Sequence, residues 1–305
     1  MKTSRKKILV TGGTGFVGSN LASKLTEDGH EVIITGHTDE QKPPQNATVV
    51  YADVASIDWT EIGRIDALFH EGAITDTSIY DRDKMLKANV DDAKTFFEKS
   101  IEHGAKNIVY ASSTAVYGNL PAPYREDGPV DPLNPYAESK VLLDEFARAF
   151  SKEHPDIRVV GLRYCNVYGP GESHKGKMAS MVHRLAQQMA RGNPKLFKYG
   201  EQKREYIYVK DVVSANLLAL EARENCVVNC APGRARTFNE LVAILNGVMG
   251  SNRTPEYIDN PYADKYQSHI ECDVSLAKRL LNFSAAYDLE RGVKDYFESG
   301  TLIQQ

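Results

Sequence analysis

Ile8-Leu9-Val10-Thr11-Gly12-Gly13-Thr14-Gly15-Phe16-Val17-Gly18 reads as an apolar strand, a tight turn and the opening of a helix. Gly12 permits the turn, Gly15 lets backbone approach a pyrophosphate, and Gly18 allows the helix to pack closely on the strand. Phe16 and Val17 sit in the first helical turn, where free N–H groups and positive potential suit an anion. A glycine triplet alone is weak evidence. Placed after the first apolar run and before the amphipathic stretch Asn20 to Asp28, it meets the structural test for a dinucleotide site.

The second strand-like run, Ile33-Ile34-Thr35, leads into Gly36-His37-Thr38. A site selective for an unphosphorylated ribose usually carries Asp or Glu there. With no carboxylate to repel a 2′-phosphate, and with His37 and Lys42 as donors, NADP is expected in preference to NAD, with NAD left open. His37 has the plain alternative of an exposed loop histidine. Asp53, after Val49-Val50-Tyr51-Ala52, is placed to meet the adenine edge or to cap the next turn.

Outward from this unit, apolar runs alternate with amphipathic ones. The runs are Thr48 to Ala52, Ala67 to His70, Asp83 to His103, Asn107 to Ala111, Tyr136 to Glu153 and Arg158 to Tyr164. That alternation predicts an α/β fold, a doubly wound parallel Rossmann sheet, with a smaller C-terminal substrate-binding domain. The expected division is a dinucleotide-binding domain over residues 1–167, with returning segments near 205–232, and a substrate-binding region over 168–204 and 233–305. A helix-like stretch from Met178 to Arg191 follows a glycine- and charge-rich loop, Gly169 to Lys177. A net charge of -4 gives no footprint for nucleic acid. The apolar run after the charged N-terminus is too short for a signal peptide or a membrane span, so a cytoplasmic location is expected. The four cysteines, Cys165, Cys226, Cys230 and Cys272, lack metal-site or disulfide-framework spacing and are expected in the core. No bound metal is expected.

Tyr136 and Lys140, in Asn134-Pro135-Tyr136-Ala137-Glu138-Ser139-Lys140, lie one helical turn apart and so on one face. An ammonium beside a phenol favours the phenolate, which is what a proton acceptor near neutrality requires. The spacing also arises by chance on surface helices, so its company decides. Ser113, in Ala111-Ser112-Ser113-Thr114-Ala115-Val116-Tyr117-Gly118 after a strand-like run, is a hydroxyl able to share the phenol's proton; its bland alternative is bonding to nearby backbone.

With the glycine turn, the Ser113 segment, the Tyr136/Lys140 pair and Leu162-Arg163-Tyr164-Cys165-Asn166-Val167-Tyr168-Gly169-Pro170 in that order, the chain resembles the extended short-chain dehydrogenase/reductases that modify nucleotide sugars. Finer motifs are similar to the ADP-heptose 6-epimerase branch: Phe69-His70-Glu71-Gly72-Ala73, His174-Lys175-Gly176 with Met178-Ala179-Ser180, Pro194-Lys195-Leu196-Phe197 and Tyr266-Gln267. The resemblance, which spans nearly the whole chain, implies that Ser113 bonds the reacting oxygen and Tyr136 exchanges its proton. Lys140 then lowers the tyrosine pKa and holds the nicotinamide ribose, and Lys175 is a second base. It further implies that Glu71, Gly72, Ala73, Asn89 and Val167 line the cofactor. Asn166, Lys177, Arg184, Phe197, Arg204 and Tyr266 would lie toward a nucleotide-sugar substrate, in a homo-oligomer. Three positions depart from that pattern: an acidic residue would stand at Gly36, serine at Lys177, and histidine at Arg184, with His183 one residue away.

An unactivated carbinol C–H is far too weak an acid for simple deprotonation. Inversion there calls for hydride transfer to a held nicotinamide and back to the other face of the carbonyl. Two faces call for two proton-transfer groups, Tyr136 and Lys175. Lys175 has the alternative of binding a diphosphate as a fixed cation, Arg204 that of a structural ion pair, and Glu71 that of holding its turn. Competing functions are a nucleotide-sugar 4-epimerase, 4-reductase or dehydratase, and a non-catalytic dinucleotide sensor. Thr114 and Ala115 after Ser113, where dehydratases usually carry acids, disfavour the dehydratase.

Overall fold

The computed structural model describes residues 4–36, 43–52, 56–261 and 268–303. Six strands in chain order are β1 (Lys7–Thr11), β2 (Glu31–Gly36), β3 (Thr48–Tyr51), β4 (Ala67–His70), β5 (Asn107–Ser113) and β6 (Arg158–Tyr164). With the later strand Cys226–Cys230 they form one parallel sheet, ordered Cys226–Cys230, β6, β5, β4, β1, β2, β3. The order reverses between β1 and β4, which opens a crevice beyond their carboxyl ends, where open α/β sheets bind ligands. Thr11 stands opposite His70 across that switch point.

Continuous apolar strands suit a sheet covered on both faces. Alternation along β1 sends Ile8 and Val10 into one core with Leu21 and Leu25 of the helix Phe16–Glu27. Leu9 goes into the opposite core with Leu68, Phe97, Tyr110 and Leu143. A third core joins Val182 and Leu185 of the helix Met181–Arg191 to Leu241, Val242 and Tyr296, beside the crevice. Short strand pairs stitch this region to the sheet side: Asn166–Tyr168 with Tyr206–Tyr208, and Lys203–Arg204 with Arg236–Thr237.

The stretch from Asp83 to His103 is not one regular helix. A π-turn over Lys87–Asp91 separates the helix Arg82–Leu86 from Asp92–Glu102. The widened turn carries Asn89, whose amide accepts from Ile74 N at 2.7 Å and donates to Ile74 O at 2.9 Å and Ser139 Oγ at 3.0 Å. A side chain that clamps a neighbouring segment explains the departure from regular winding. The four cysteines are free, three of them buried and Cys226 half-buried.

The helix Pro135–Glu153 is locked to the sheet by a buried polar network. Arg163 Nε donates to Asp144 at 2.9 Å and its Nη1 to Tyr117 Oη at 2.8 Å. Tyr110 donates to Asp144 at 3.0 Å, and Tyr117 to Asn229 at 2.7 Å. Removing one member of such a pair strands the other charge in the core. Asp144→Ala is therefore expected to cost about 3–5 kcal/mol of unfolding free energy in a urea titration; a loss under about 1 kcal/mol would show that the network does not hold the helix.

Candidate active site

The glycine turn is built to the tolerance of its own backbone. Gly12 has φ 62°, and a Cβ there would meet Gly72 Cα and N at 2.7 Å. A Cβ on Gly18 would come within 2.2 Å of Gly12 O, so helix and turn touch where only hydrogen fits. Gly13 N donates to Thr35 O at 2.9 Å, stapling the turn to β2. Gly15 caps the helix Phe16–Glu27 without any side-chain bond, which leaves the first helical N–H groups to an incoming anion. These features fit a dinucleotide pyrophosphate. Gly18→Ala is expected to abolish measurable dinucleotide binding in a nucleotide fluorescence titration; near wild-type affinity would mean that the turn is not the cofactor cradle.

A cleft of about 780 Å³ runs from this turn to the third core. Gly12, Gly15, Phe16, Val17, Gly18 and Gly36 line one end, Glu71, Gly72 and Ala73 the floor. Ser113, Tyr136 and Lys140 form one wall, while Val167, Asn166, Lys175 and Arg204 also face the space. Asn89 lies behind the floor, clamping Ile74. Lys177 and Arg184 are exposed and Phe197 half-buried, and none is on the cleft lining. The neighbouring His183 faces Tyr296 in the core, its Nδ1 3.0 Å from the phenol oxygen. His37, Lys42, Asp53 and Tyr266 lie outside the described residues.

Tyr136 enters from the first turn of its helix, which Pro135 opens and Asn134 caps through Ala137 N. Burial pushes the Tyr136 pKa up, and a hydrogen bond with Ser113 pulls against that rise. Burial thus favours the protonated phenol, with the Ser113 hydrogen bond opposing it. Lys140 Nζ lies 5.9 Å from the Tyr136 ring centre and donates to Ala111 O at 2.8 Å. Burial brings its pKa down to about 8, against the opposing pull of Glu71 and then Asp144.

Glu71 accepts from Tyr164 Oη at 2.9 Å, and that oxygen accepts from Asn216 Nδ2 at 2.8 Å. Burial pushes the Glu71 pKa up to about 7, with Tyr164 and then Lys140 opposing. Also on the cleft lining, Lys175 sits on the turn Ser173–Met178 with Nζ 5.5 Å from the Phe16 ring centre. Burial lowers its pKa, with Glu172 pulling the other way. Glu172 itself is fully buried, accepting from Gly169 N, Ser180 N and Ser180 Oγ, so it fixes the loop that carries Lys175.

Sequence reasoning missed Glu172, Tyr164 and Asn216. Glu172 had a faint signal, a carboxylate between turn glycines and the serine that caps the next helix. Tyr164 lay in the quoted stretch Leu162 to Pro170 without a role of its own, and Asn216 had no signal, since the two meet only through folding. No helix among the described residues is long and apolar enough to cross a membrane, and they contain no cluster of three or more potential metal ligands.

The model of the NAD dependent epimerase/dehydratase family matches residues 8–231. An ADP-L-glycero-D-manno-heptose-6-epimerase from Alkalilimnicola ehrlichii is 34% identical, aligning 96% of this chain with 97% of its own. The crystal structure of the Helicobacter pylori ADP-L-glycero-D-manno-heptose-6-epimerase superposes with a TM-score of 0.88 at 35% identity, covering 98% of this chain and 97% of that one. The UDP-glucose 4-epimerase of Thermotoga maritima, solved with UDP-glucose, gives 0.87 at 31%, covering 96% and 99%. A glycine cradle, a serine–tyrosine–lysine wall and these full-length similarities agree: the chain belongs to the NAD dependent epimerase/dehydratase family.

Proposed function

We propose that this protein is a nucleotide-sugar epimerase that inverts a carbinol centre with a tightly held nicotinamide dinucleotide, NADP in preference to NAD, and that its substrate is ADP-glycero-manno-heptose, inverted at C6. The observation that carries the proposal is the presence of Tyr136 and Lys175 in one cleft on separate elements, each with a proton-exchanging head shifted by burial. The bound dinucleotide supplies the acceptor and donor of hydride.

Ser113 and Tyr136 hold the reacting oxygen between two hydroxyls. In its ionised form Tyr136 takes the carbinol proton as the carbonyl develops, and Ser113 donates to the carbonyl oxygen. Lys140, fixed by Ala111 O, keeps positive charge beside the phenol, which favours its ionised form when a substrate and cofactor fill the cleft. Once the carbonyl has turned its other face, the Lys175 ammonium donates the proton that restores the hydroxyl, and in the reverse direction the neutral amine takes it. Burial leaves more of Lys175 in the neutral form than a free lysine would have, which the reverse direction, where it takes the proton, requires. Arg204, 9% exposed and on the cleft lining, is the proposed partner of the diphosphate. Self-association is part of the proposal, with the helices Asp92–Glu102 and Pro135–Glu153 as packing faces; a sedimentation mass of one chain would refute that part.

Similarity to the Thermotoga maritima enzyme supports a second substrate reading, a 4-epimerase of a UDP-sugar. NMR of purified protein incubated separately with ADP-glycero-manno-heptose and UDP-glucose separates the two. Inversion at C6 of the first is expected; inversion of UDP-glucose alone would transfer the assignment to the 4-epimerase.

A further inference from the structure

Glu205 joins the short strands Lys203–Arg204 and Tyr206–Tyr208, which bring Arg204 and Tyr206 to the cleft, yet its own side chain is fully buried. Backbone amides meet its carboxylate from two separate stretches of chain. Oε1 accepts from Gly233 N and, at 2.9 Å, from Arg234 N, while Oε2 accepts from Cys272 N at 2.7 Å. Both stretches are also bonded to the strand that bears Arg204. The loop at Gly233 leads into Arg236–Thr237, which pairs antiparallel with Lys203–Arg204. From the other stretch, Ser268 O accepts from Lys203 N at 2.8 Å and Ile270 N donates to Lys203 O at 3.1 Å. Burial pushes the Glu205 pKa up to about 7, and the amides of Cys272 and then Gly233 pull against that rise. A buried carboxylate is costly, and here it is compensated by backbone donors on both of its oxygens.

We infer that Glu205 is a positioning residue for substrate binding: by clamping the Gly233–Arg234 loop and the stretch ending at Cys272 onto one strand, it holds the Arg204 guanidinium where the diphosphate of a nucleotide sugar binds. This rests on the nucleotide-sugar reading proposed above. Arg204 Nη1 donates to Lys203 O at 2.8 Å, and its guanidinium lies 5.8 Å from the Phe238 ring centre. Phe238 directly follows the strand Arg236–Thr237, so the surface on which the guanidinium rests belongs to one of the clamped stretches. A bidentate arginine contact with a diphosphate demands a fixed fork, and a strand free to shift would forfeit it. Glutamine at 205 would keep the shape and lose the function. It offers one acceptor oxygen, so its amide nitrogen faces an N–H on one side, and either the Gly233 loop or the Cys272 stretch is released.

Kinetics and calorimetry on the holoenzyme test this. KM and kcat are measured for whichever of ADP-glycero-manno-heptose and UDP-glucose is turned over, with dissociation constants for ADP and UDP alongside. Glu205→Gln is expected to raise KM, and the dissociation constant of the tighter-binding nucleotide, by roughly tenfold or more. Its kcat should stay within about threefold of wild type and its bound dinucleotide should be retained, because Glu205 touches neither the reacting oxygen nor the glycine turn. In an Arg204→Ala background the same change is expected to alter both constants by less than about threefold, since the group through which Glu205 acts is already gone. If the glutamine variant does not fold, Glu205→Asp, whose carboxylate falls one methylene short of the amides, carries the same pattern with a rise of about threefold or more. Unmoved constants in a folded variant, a loss confined to kcat, or an equal effect with and without Arg204 would overturn the positioning role. Wild-type protein that turns over neither sugar nucleotide and binds neither ADP nor UDP would overturn the nucleotide-sugar reading and this inference with it, a result distinct from the other three.

Discussion

Tyr136→Phe is expected to lower epimerase turnover by roughly 10²- to 10⁴-fold while leaving bound dinucleotide and unfolding temperature near wild type. The ring remains to pack against its buried surroundings, so what is lost is the hydroxyl that exchanges a proton with Ser113 and the reacting oxygen. Because burial raises the Tyr136 pKa, its ionised form grows with pH, and a step that needs the phenolate speeds up as pH rises toward that raised value. The variant should lose this alkaline rise. Retained turnover with the wild-type pH dependence would remove Tyr136 from the mechanism. Full loss of cofactor in the same variant would instead assign it to binding.

The parts of this site that were legible from sequence are those in which chemistry and spacing are local. The turn Gly12 to Gly18 announces itself because each glycine answers a contact within one strand–turn–helix unit, and the distances to Gly72 and Gly12 O bear out why no side chain is tolerated. Pairing Tyr136 with Lys140 required only helical periodicity. Lys140's surroundings were not legible: its ammonium bonds Ala111 O on β5 and feels Glu71 beyond β4, contacts that exist only once three strands lie side by side. The π-turn at Asn89 was hidden for the same reason, since its cause is Ile74, fifteen residues away along the chain. Lys177, Arg184 and Phe197 came from motif correspondence rather than from a physical constraint, and the cleft lining does not include them. Their proposed contact with substrate would need the loop or the sugar to extend past the present walls.

Lys175 offers the sharper test, because its two possible roles respond differently to one conservative change. A general base must shed its proton, whereas a counter-ion for a diphosphate must keep it. Arginine preserves charge and hydrogen-bond donors yet does not deprotonate in proteins. If Lys175 is the second base, Lys175→Arg and Lys175→Met are both expected to lower kcat by roughly 10²- to 10⁴-fold, with KM changed much less. If it is a fixed cation, Lys175→Arg keeps most of kcat and Lys175→Met raises KM. The pH profile carries the same distinction. Burial shifts the Lys175 pKa downward, so neutral amine appears at a lower pH than in a free lysine, and in the direction in which Lys175 takes the carbinol proton a base-limited rate rises through that lowered value. Glu172 opposes the shift, and Glu172→Gln should therefore lower the pKa further and move the rise to lower pH, provided the loop bonded to Gly169 and Ser180 stays in place. A rate rise that moves to higher pH in Glu172→Gln, or a Lys175→Arg enzyme with wild-type kcat, would leave Tyr136 as the only proton-exchanging side chain of the pair and require the second face of the carbonyl to be served from elsewhere.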